Sequence, residues 1–319
     1  MTNSILLVAG GLVLLALGGE LLVRGAVGMA AKLGISPLLA GLTIVGFGTS
    51  TPELATSVQA AMAGSAGIAI GNVVGSNIAN ILFILSVSAL ILPLRVNPAS
   101  FARDAIALGG SALLCTAAVL SGFMGPMIGI GLLACLIGYV WWAYVSESAA
   151  PCPEGARHEQ EAEDRPVPPG TGMVVLVAMI VAGLALAIFG AGWLVDGATV
   201  LASSAGVSES VIGLTVVAVG TSLPELIACV IAVIRKHEDV ALGNVVGSNI
   251  YNILGILGMT AVIKPIPVPA EIAGFDIWVM LAVTALLIVQ LRSGWKLSRI
   301  EGGVLLVSYC AYTLYLVAR

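Results

Sequence analysis

The segment GLTIVGFGTSTPEL at residues 41–54 recurs as GLTVVAVGTSLPEL at residues 213–226, and this recurrence decides the fold. A second segment, GNVVGSNIANIL at residues 71–82, recurs as GNVVGSNIYNIL at residues 243–254. Both pairs are displaced by the same 172 residues, with no insertion between the two segments. A fixed displacement of this kind indicates that the chain contains one structural unit twice.

The sequence around these segments is strongly apolar. Of its 319 residues, 59% are hydrophobic and only 9% are charged, and the mean hydropathy is +1.09. A water-soluble domain of this size cannot bury so much apolar surface, whereas a lipid bilayer accommodates it in helices that satisfy their own backbone groups. We therefore predict an all-α polytopic membrane protein with ten transmembrane helices. The predicted helices are residues 4–31, 37–63, 68–92, 100–121, 124–146, 172–200, 209–234, 240–263, 272–292 and 299–317.

The ten predicted helices divide into two units of five. Residues 1–146 form the first five-helix repeat, residues 147–171 a solvated cytoplasmic linker rich in proline and glutamate, and residues 172–319 the second repeat. Because five is odd, the second repeat must cross the membrane in the opposite direction to the first. Inverted repeats are typical of secondary transporters, whose sites lie near the bilayer midplane where the repeats meet.

The basic residues predict the orientation. Most lysines and arginines fall on or near the side that carries the connections between helices 1–2, 3–4, 5–6, 7–8 and 9–10, and the other side holds only Lys264 and Arg319. Since cytoplasmic loops are enriched in these residues, we expect the crowded side to be cytoplasmic and both termini to lie outside.

Polar residues interrupt the second helix of each repeat at the same place. In the first copy, one helical face carries Gly46, Thr49, Ser50 and Glu53. Pro52 has no N–H, so the carbonyl of Gly48 loses its helical partner and the helix is expected to kink. At membrane depth such a break is tolerated where it faces protein or a watery cavity. The segment is therefore predicted to present carbonyl, hydroxyl and carboxylate oxygens to a cavity.

The third helix of each repeat adds a second polar face. Together the copies supply Gly46, Thr49, Ser50, Glu53, Asn72, Ser76 and Asn80 from the first repeat and Ala218, Thr221, Ser222, Glu225, Asn244, Ser248 and Asn252 from the second. Ligands that are all oxygen atoms suit hard cations such as Ca²⁺ and Na⁺ rather than Zn²⁺ or copper. Two carboxylates at the bilayer centre are costly and repel each other. The expected counter-charge is Ca²⁺, or alternatively Na⁺ or H⁺.

Other features have a simpler structural explanation. The Gly-x-x-x-Gly patterns that begin at Gly71 and Gly243 are equally well explained as helix-packing faces. Asn77 and Asn249 fit interhelical hydrogen bonding better than ligand duty. No histidine lies in either motif and the cysteines show no metal-binding spacing, so we expect no enzyme and no cofactor. The net charge of −4 gives no basic surface for nucleic acid, and no obligate protein partner is inferred.

The paired GTSTPE and GTSLPE strings and the paired GNVVGSNI strings resemble the α-repeats of the Na⁺/Ca²⁺ exchanger family, within the cation/Ca²⁺ antiporter superfamily. The resemblance covers nearly the whole chain. It implies alternating access, in which Ca²⁺ and Na⁺ compete for one central cluster while the long first and sixth helices slide against the other eight. By position it implies that Glu53, Glu225 and the carbonyls of Thr49 and Thr221 bind Ca²⁺. It implies flanking Na⁺ sites and a central lining formed by Ser50, Ser76, Ser222, Ser248, the carbonyls of Gly46 and Ala218, and the side chains of Asn80 and Asn252.

The central position departs from the family pattern. Members often carry aspartate at the position of Asn252, and K⁺-dependent relatives carry aspartate at both central positions, whereas this chain has Asn80 and Asn252. The asparagines argue against K⁺ co-transport, and they fit Na⁺/Ca²⁺ exchange if the usual aspartate is protonated. Thr51, where the second repeat has Leu223, is a smaller asymmetry that the sequence does not explain.

The sequence therefore predicts a Na⁺/Ca²⁺ antiporter that moves Ca²⁺ outward across a prokaryotic cytoplasmic membrane. H⁺/Ca²⁺ exchange through the two glutamates is the first alternative, although the four motif serines favour Na⁺ because proton coupling does not need them. A cation channel built on the same cavity is the second alternative.

Overall fold

The computed structural model describes residues 2–96, 98–148, 167–168, 170–205 and 218–318. The helices in these ranges are α1 (Thr2–Leu33), α2 (Pro37–Thr49), α3 (Thr51–Met62), α4 (Ala66–Ile91), α5 (Pro98–Leu120), α6 (Pro126–Ser148), α7 (Met173–Ser204), α8 (Ala218–Thr221), α9 (Leu223–Ile234), α10 (Glu238–Ile263), α11 (Ile272–Gly294) and α12 (Arg299–Ala318). Four two-residue strands accompany them: β1 (Leu94–Arg95), β2 (Phe123–Met124), β3 (Ile266–Pro267) and β4 (Lys296–Leu297). Most of the predicted linker and the first part of the predicted helix 209–234 lie outside the described residues.

The described part of the chain is mostly helical, as predicted. Seven of its helices are long and apolar enough to cross a membrane, judged by length and composition, and α2 and α9 are apolar but shorter. The seven fall in α1, α4, α5, α6, α7, α10 and α11. The number of membrane crossings, ten in two inverted repeats, stays a prediction.

The second predicted helix is divided into α2 and α3 by a break at Ser50. That residue has φ −80° and ψ 9°, and Pro52 occupies the first turn of α3. A proline is tolerated in a first turn because the N–H that it lacks has no helical partner there. The second repeat breaks in the same way, with Ser222 at φ −92° and ψ 8° between α8 and α9. The disturbance predicted near the proline is therefore present as a one-residue break, across which Ser50 N–H still donates to the carbonyl oxygen of Gly46 and Leu54 N–H to that of Ser50.

Helices α4 and α10 form the centre of the molecule. Most of their residues are buried, whereas α1, α6 and α7 leave most of their surface exposed. Short antiparallel ladders join the repeats, because β1 pairs with β4 and β2 pairs with β3. The 172-residue displacement carries β1 onto β3, so the two ladders are equivalent by position. Each repeat is thereby tied to the other at two places.

Helix α2 packs directly against α10 at glycines of α10. A Cβ added to Gly243 would lie 2.4 Å from the carbonyl oxygen of Leu38, and one added to Gly247 would lie 2.1 Å from that of Leu42. The packing role expected of the pattern that begins at Gly243 is therefore present. The close approach carries the end of α2 to the polar face of α10.

Helices α1 and α7 pack antiparallel along their length through glycines spaced seven residues apart. Gly11 faces Gly190 and Gly18 faces Gly183, and a Cβ added to Gly18 would lie 2.6 Å from the amide nitrogen of Ala187. Small residues at such positions let helix backbones approach closely and leave few side chains to interlock. The interface is consequently smooth.

A charged cluster ties α1 to the turn between α9 and α10. Arg235 Nε donates to Glu20 Oε2 over 3.0 Å, and Nη2 of the same arginine donates to Oε1. Arg24, one helical turn further along α1, pairs with the same carboxylate. The equivalent of Glu20 in α7 is Gly192, so the second repeat has no counterpart of this carboxylate.

We expect Gly18→Ala to destabilise the protein by about 1–3 kcal/mol, since the new methyl group would overlap the α7 backbone. Gly192→Ala is the matched control, because a Cβ added there meets nothing within 4 Å and removes only helical flexibility. Thermal unfolding in detergent would measure both. Equal unfolding midpoints for the two variants would contradict the close packing of α1 on α7.

Candidate cation-binding site

The predicted ligand residues of the two repeats lie together at the centre of the molecule. Helix α3 contacts the turn Asn252–Leu257 of α10, and α9 contacts the equivalent turn Asn80–Ile84 of α4. Both turns are π-helical and begin at the central asparagine of their repeat. Such turns occur often at functional sites, because the extra residue changes the direction of a side chain within a helix.

The two glutamates are almost completely enclosed. Glu53 and Glu225 are each 1% exposed, and each carboxylate lies within electrostatic range of the other. No lysine or arginine is ion-paired with either one among the described residues. The site therefore concentrates negative charge without a protein cation to balance it.

A serine of each repeat holds the glutamate of the other. Ser50 Oγ donates to Glu225 Oε1 over 2.9 Å. The Ser222 hydroxyl makes the equivalent hydrogen bond to the carboxylate of Glu53. Because each serine stands at the helix break of its own repeat, the breaks place their hydroxyls beside the opposite carboxylate.

The asparagines of α4 and α10 cross in the same way. Asn80 Nδ2 donates to Asn249 Oδ1 over 3.0 Å, and Asn252 Nδ2 donates to Asn77 Oδ1 over 3.2 Å. The interhelical hydrogen bonds expected of Asn77 and Asn249 are thus present. Since these bonds engage the amide nitrogens of the central asparagines, the Oδ1 atoms are left as acceptors.

Four buried oxygen atoms of this cluster accept no hydrogen bond. They are Glu53 Oε2, Glu225 Oε2, Asn80 Oδ1 and Asn252 Oδ1. A buried polar atom without a partner costs about 1–3 kcal/mol, and more if it is charged, so four in one place require an explanation. Oxygen atoms with free lone pairs and two balancing charges are what a hard divalent cation binds.

The remaining predicted ligands lie around this centre. Ser248 Oγ donates to the carbonyl oxygen of Gly46 over 3.1 Å, and the Thr49 hydroxyl is 3.3 Å from Asn244 Oδ1. Ser76 is buried on α4. Ala218 and Thr221 are the first and last residues of α8, before the second break. The predicted positions on α2, α3, α4, α9 and α10 therefore lie on elements that meet at the centre, whereas α8 contacts α7 and α9.

Asn72 and Asn244 position the helix starts that carry the glutamates. Asn72 Nδ2 donates to the carbonyl oxygen of Glu53 over 3.0 Å and to Ser57 Oγ over 2.8 Å. Asn244 Nδ2 donates to the carbonyl oxygen of Glu225 over 3.2 Å and contacts Cys229 Sγ at 3.1 Å. The sequence placed both asparagines on the polar face but assigned them no partner.

Thr51 provides a hydrogen-bond donor to the carbonyl of Gly48, which Leu223 of the second repeat cannot do for the equivalent carbonyl. Its hydroxyl donates to the carbonyl oxygen of Gly48 over 2.8 Å, so the acceptor that Pro52 frees is already satisfied. The expectation that this carbonyl is bare is wrong. Leu223 has no hydroxyl and cannot make the equivalent bond. A threonine directly before the proline was the available signal, because Ser and Thr hydroxyls reach backbone carbonyls three or four residues earlier.

Comparisons with known proteins identify the family of this chain. The model of the family described as sodium/calcium exchanger protein matches residues 3–145 and 175–318. The chain is 39% identical over 310 residues to a putative antiporter, CaxA, of Alkalimonas amylolytica, covering 95% of both chains. It is 35% identical to the sodium/calcium exchanger MaX1 of Methanosarcina acetivorans, covering 99% of both. A solved structure of the sodium-calcium exchanger NCX_Mj, soaked with Na⁺ and Sr²⁺, superposes with a TM-score of 0.83 at 29% identity, over 100% of this chain and 98% of that one. The chain belongs to the sodium/calcium exchanger family.

Proposed function

We propose that this protein is a secondary antiporter that exchanges Na⁺ for Ca²⁺ by alternating access. One observation carries the proposal: two carboxylate oxygens and two amide oxygens, contributed equally by the two repeats, are buried without hydrogen-bond partners. Membership of an exchanger family supports cation exchange in general. The identity of the coupling ion is our inference.

The proposed Ca²⁺ ligands are the carboxylates of Glu53 and Glu225 with the carbonyls of Thr49 and Thr221. Two negative charges balance one divalent cation, which offsets both the burial cost and the repulsion between the glutamates. Flanking Na⁺ sites would use Ser50, Ser76, Ser222, Ser248 and the carbonyls of Gly46 and Ala218, with Asn80 and Asn252 at the centre. Competition follows because the two ions share the glutamates.

We further propose ten membrane crossings in two inverted repeats, residues 1–146 and 172–319, joined by a linker at 147–171. The ladders support inversion. The apolar helix α5 separates β1 from β2, which puts the β1–β4 and β2–β3 ladders on opposite sides of the membrane. Because β3 is the equivalent of β1, equivalent parts of the two repeats then face opposite sides.

The glycine-lined interface of α1 and α7 supports alternating access by sliding. These two helices form the largest helix–helix interface among the described residues, and both leave much of their surface exposed. Because the α1 and α7 backbones are packed closely against each other, the pair can move as one body past the ion site. Gly48, just before the first break, lies against Leu184 of α7, so such a movement would reach the site directly.

We further propose that both termini lie outside a prokaryotic cytoplasmic membrane, and the distribution of lysine and arginine supports this orientation. A protease-cleavable tag added at the C-terminus should be removed from right-side-out vesicles without detergent. A protected tag would reverse the orientation.

We expect Glu53→Gln and Glu225→Gln each to abolish Na⁺-driven ⁴⁵Ca²⁺ uptake into proteoliposomes. Each substitution removes one of the two charges that balance Ca²⁺ while keeping the shape of the side chain. Glu271→Gln is the matched control, because it makes the same chemical change at an exposed position at the start of α11 and should leave uptake unchanged. Full uptake by either site variant would disprove the ligand assignment.

Separately imposed gradients identify the coupling ion. A Na⁺ gradient should drive saturable ⁴⁵Ca²⁺ uptake, whereas a K⁺ gradient or a pH gradient without Na⁺ should not. Equal uptake under the pH gradient would favour H⁺/Ca²⁺ exchange, and a non-saturating conductance would favour a channel.

Asn252→Asp adds a third titratable carboxyl group, so this variant should show a steeper dependence of uptake on pH than the wild type.

A further inference from the structure

The β1–β4 ladder places two cations directly opposite each other. Arg95 is the register partner of Lys296, and both side chains are exposed. Like charges at directly opposite positions of an antiparallel pair destabilise the ladder. A contact that is unfavourable in the protein alone points to a ligand of opposite charge.

The ladder does not need these charges to form. By the repeat displacement Arg95 is equivalent to Pro267, and in the β2–β3 ladder the register partner of Pro267 is Phe123. The same backbone pairing is therefore made on the other ladder without any charge. The cations are a property of one side of the molecule and not of the fold.

Further cations gather at the same corner. Arg292 and Arg299 flank β4 and are exposed, and Arg299 Nη2 donates to the carbonyl oxygen of Ile91 at the end of α4. Among the described residues no carboxylate is ion-paired with any of the four cations. The nearest acid along the chain, Glu301, is engaged with the backbone N–H and hydroxyl of Ser298. None of the four cations is thus neutralised by an ion pair within the described protein; the carboxylates nearest in space, Asp104 and Asp239, line the pocket beside Phe101.

The corner lies where a membrane surface is expected. The apolar helices α4 and α11 end at it, and α5 begins at it. Trp295 stands beside β4 with 41% of its surface exposed, and its ring meets Phe101 edge-on at 5.8 Å. It has φ 53°, a left-handed conformation that a glycine would adopt more easily. Tryptophan at the end of a membrane helix is typical of the headgroup layer.

We infer that the corner formed by Arg95, Arg292, Lys296 and Arg299, with Trp295, is a binding site for the phosphate group of an anionic phospholipid. The phosphate lies between the opposed Arg95 and Lys296 and relieves their repulsion, while Trp295 contacts the glycerol and upper acyl region. The tryptophan favours a lipid over free inorganic phosphate, because a lipid can pack its apolar part against the exposed ring and inorganic phosphate cannot.

Lipid retention tests this inference on the full-length protein. The protein is equilibrated with equal amounts of phosphatidylglycerol and phosphatidylcholine, and the bound lipid is counted by native mass spectrometry. Wild type should retain phosphatidylglycerol preferentially. The double variant Arg95→Gln/Lys296→Gln should lose about 25-fold in that preference, at roughly fivefold for each cation near a charged surface. Lys236→Gln, which removes an exposed cation in the turn between α9 and α10, should keep the preference.

A second variant separates lipid binding from folding. Lys296→Glu pairs an acid with Arg95 across the ladder, which should keep the ladder intact in phosphatidylcholine and remove the preference for phosphatidylglycerol. Unchanged preference in this variant and in the double variant would overturn the inference. Complete displacement of the lipid by millimolar inorganic phosphate would overturn the choice of a lipid as the ligand.

Discussion

The structure depends on one constraint: two carboxylates are buried at the centre of an apolar helix bundle, and no lysine or arginine is paired with them in the part of the chain that the structure describes. An isolated ionised carboxylate in such a place is costly, and a second one nearby adds repulsion. The breaks at Ser50 and Ser222, the π-helical turns and the crossed asparagines all direct oxygen atoms or hydroxyls to this place. The centre is therefore organised for a charge that arrives from solution.

The hydrogen bonds of the break serines and of the central asparagines run between the repeats. Ser50 bonds to Glu225 and Asn80 bonds to Asn249, and each of these contacts has its counterpart with the roles exchanged. Neither repeat can complete the site alone. A movement that separated the repeats would break bonds of this kind, so an ion that holds the pairs together would influence conformation directly.

The sequence predicted the mostly helical fold, most helix boundaries among the described residues and the polar faces of the two repeats, because each leaves a local pattern. Apolar length marks the helices, and identical strings at one displacement mark Glu53 and Glu225 as equivalent. It did not predict the partners of the polar side chains, since those depend on how α4 and α10 pack. Asn77 could be assigned to hydrogen bonding, but not to Asn252 in particular. The bond from Thr51 to Gly48 is local and could have been foreseen, whereas the repulsive pair Arg95 and Lys296 depends on strand register.

The two repeats carry the same residues at the proposed ion site and different residues away from it. Under the inversion and alternating access that we propose, the centre would face both sides in turn and its residues would serve both conformations. There the copies keep the same glutamate, serine and asparagine. Away from the centre the copies diverge, as Glu20 does from Gly192 and Arg95 from Pro267. Identical halves would make the inward-open and outward-open states equal in energy. The ion pair of Glu20 with Arg235 has no counterpart in the other half, so under the proposed alternating access it is a contact that would make the two states unequal.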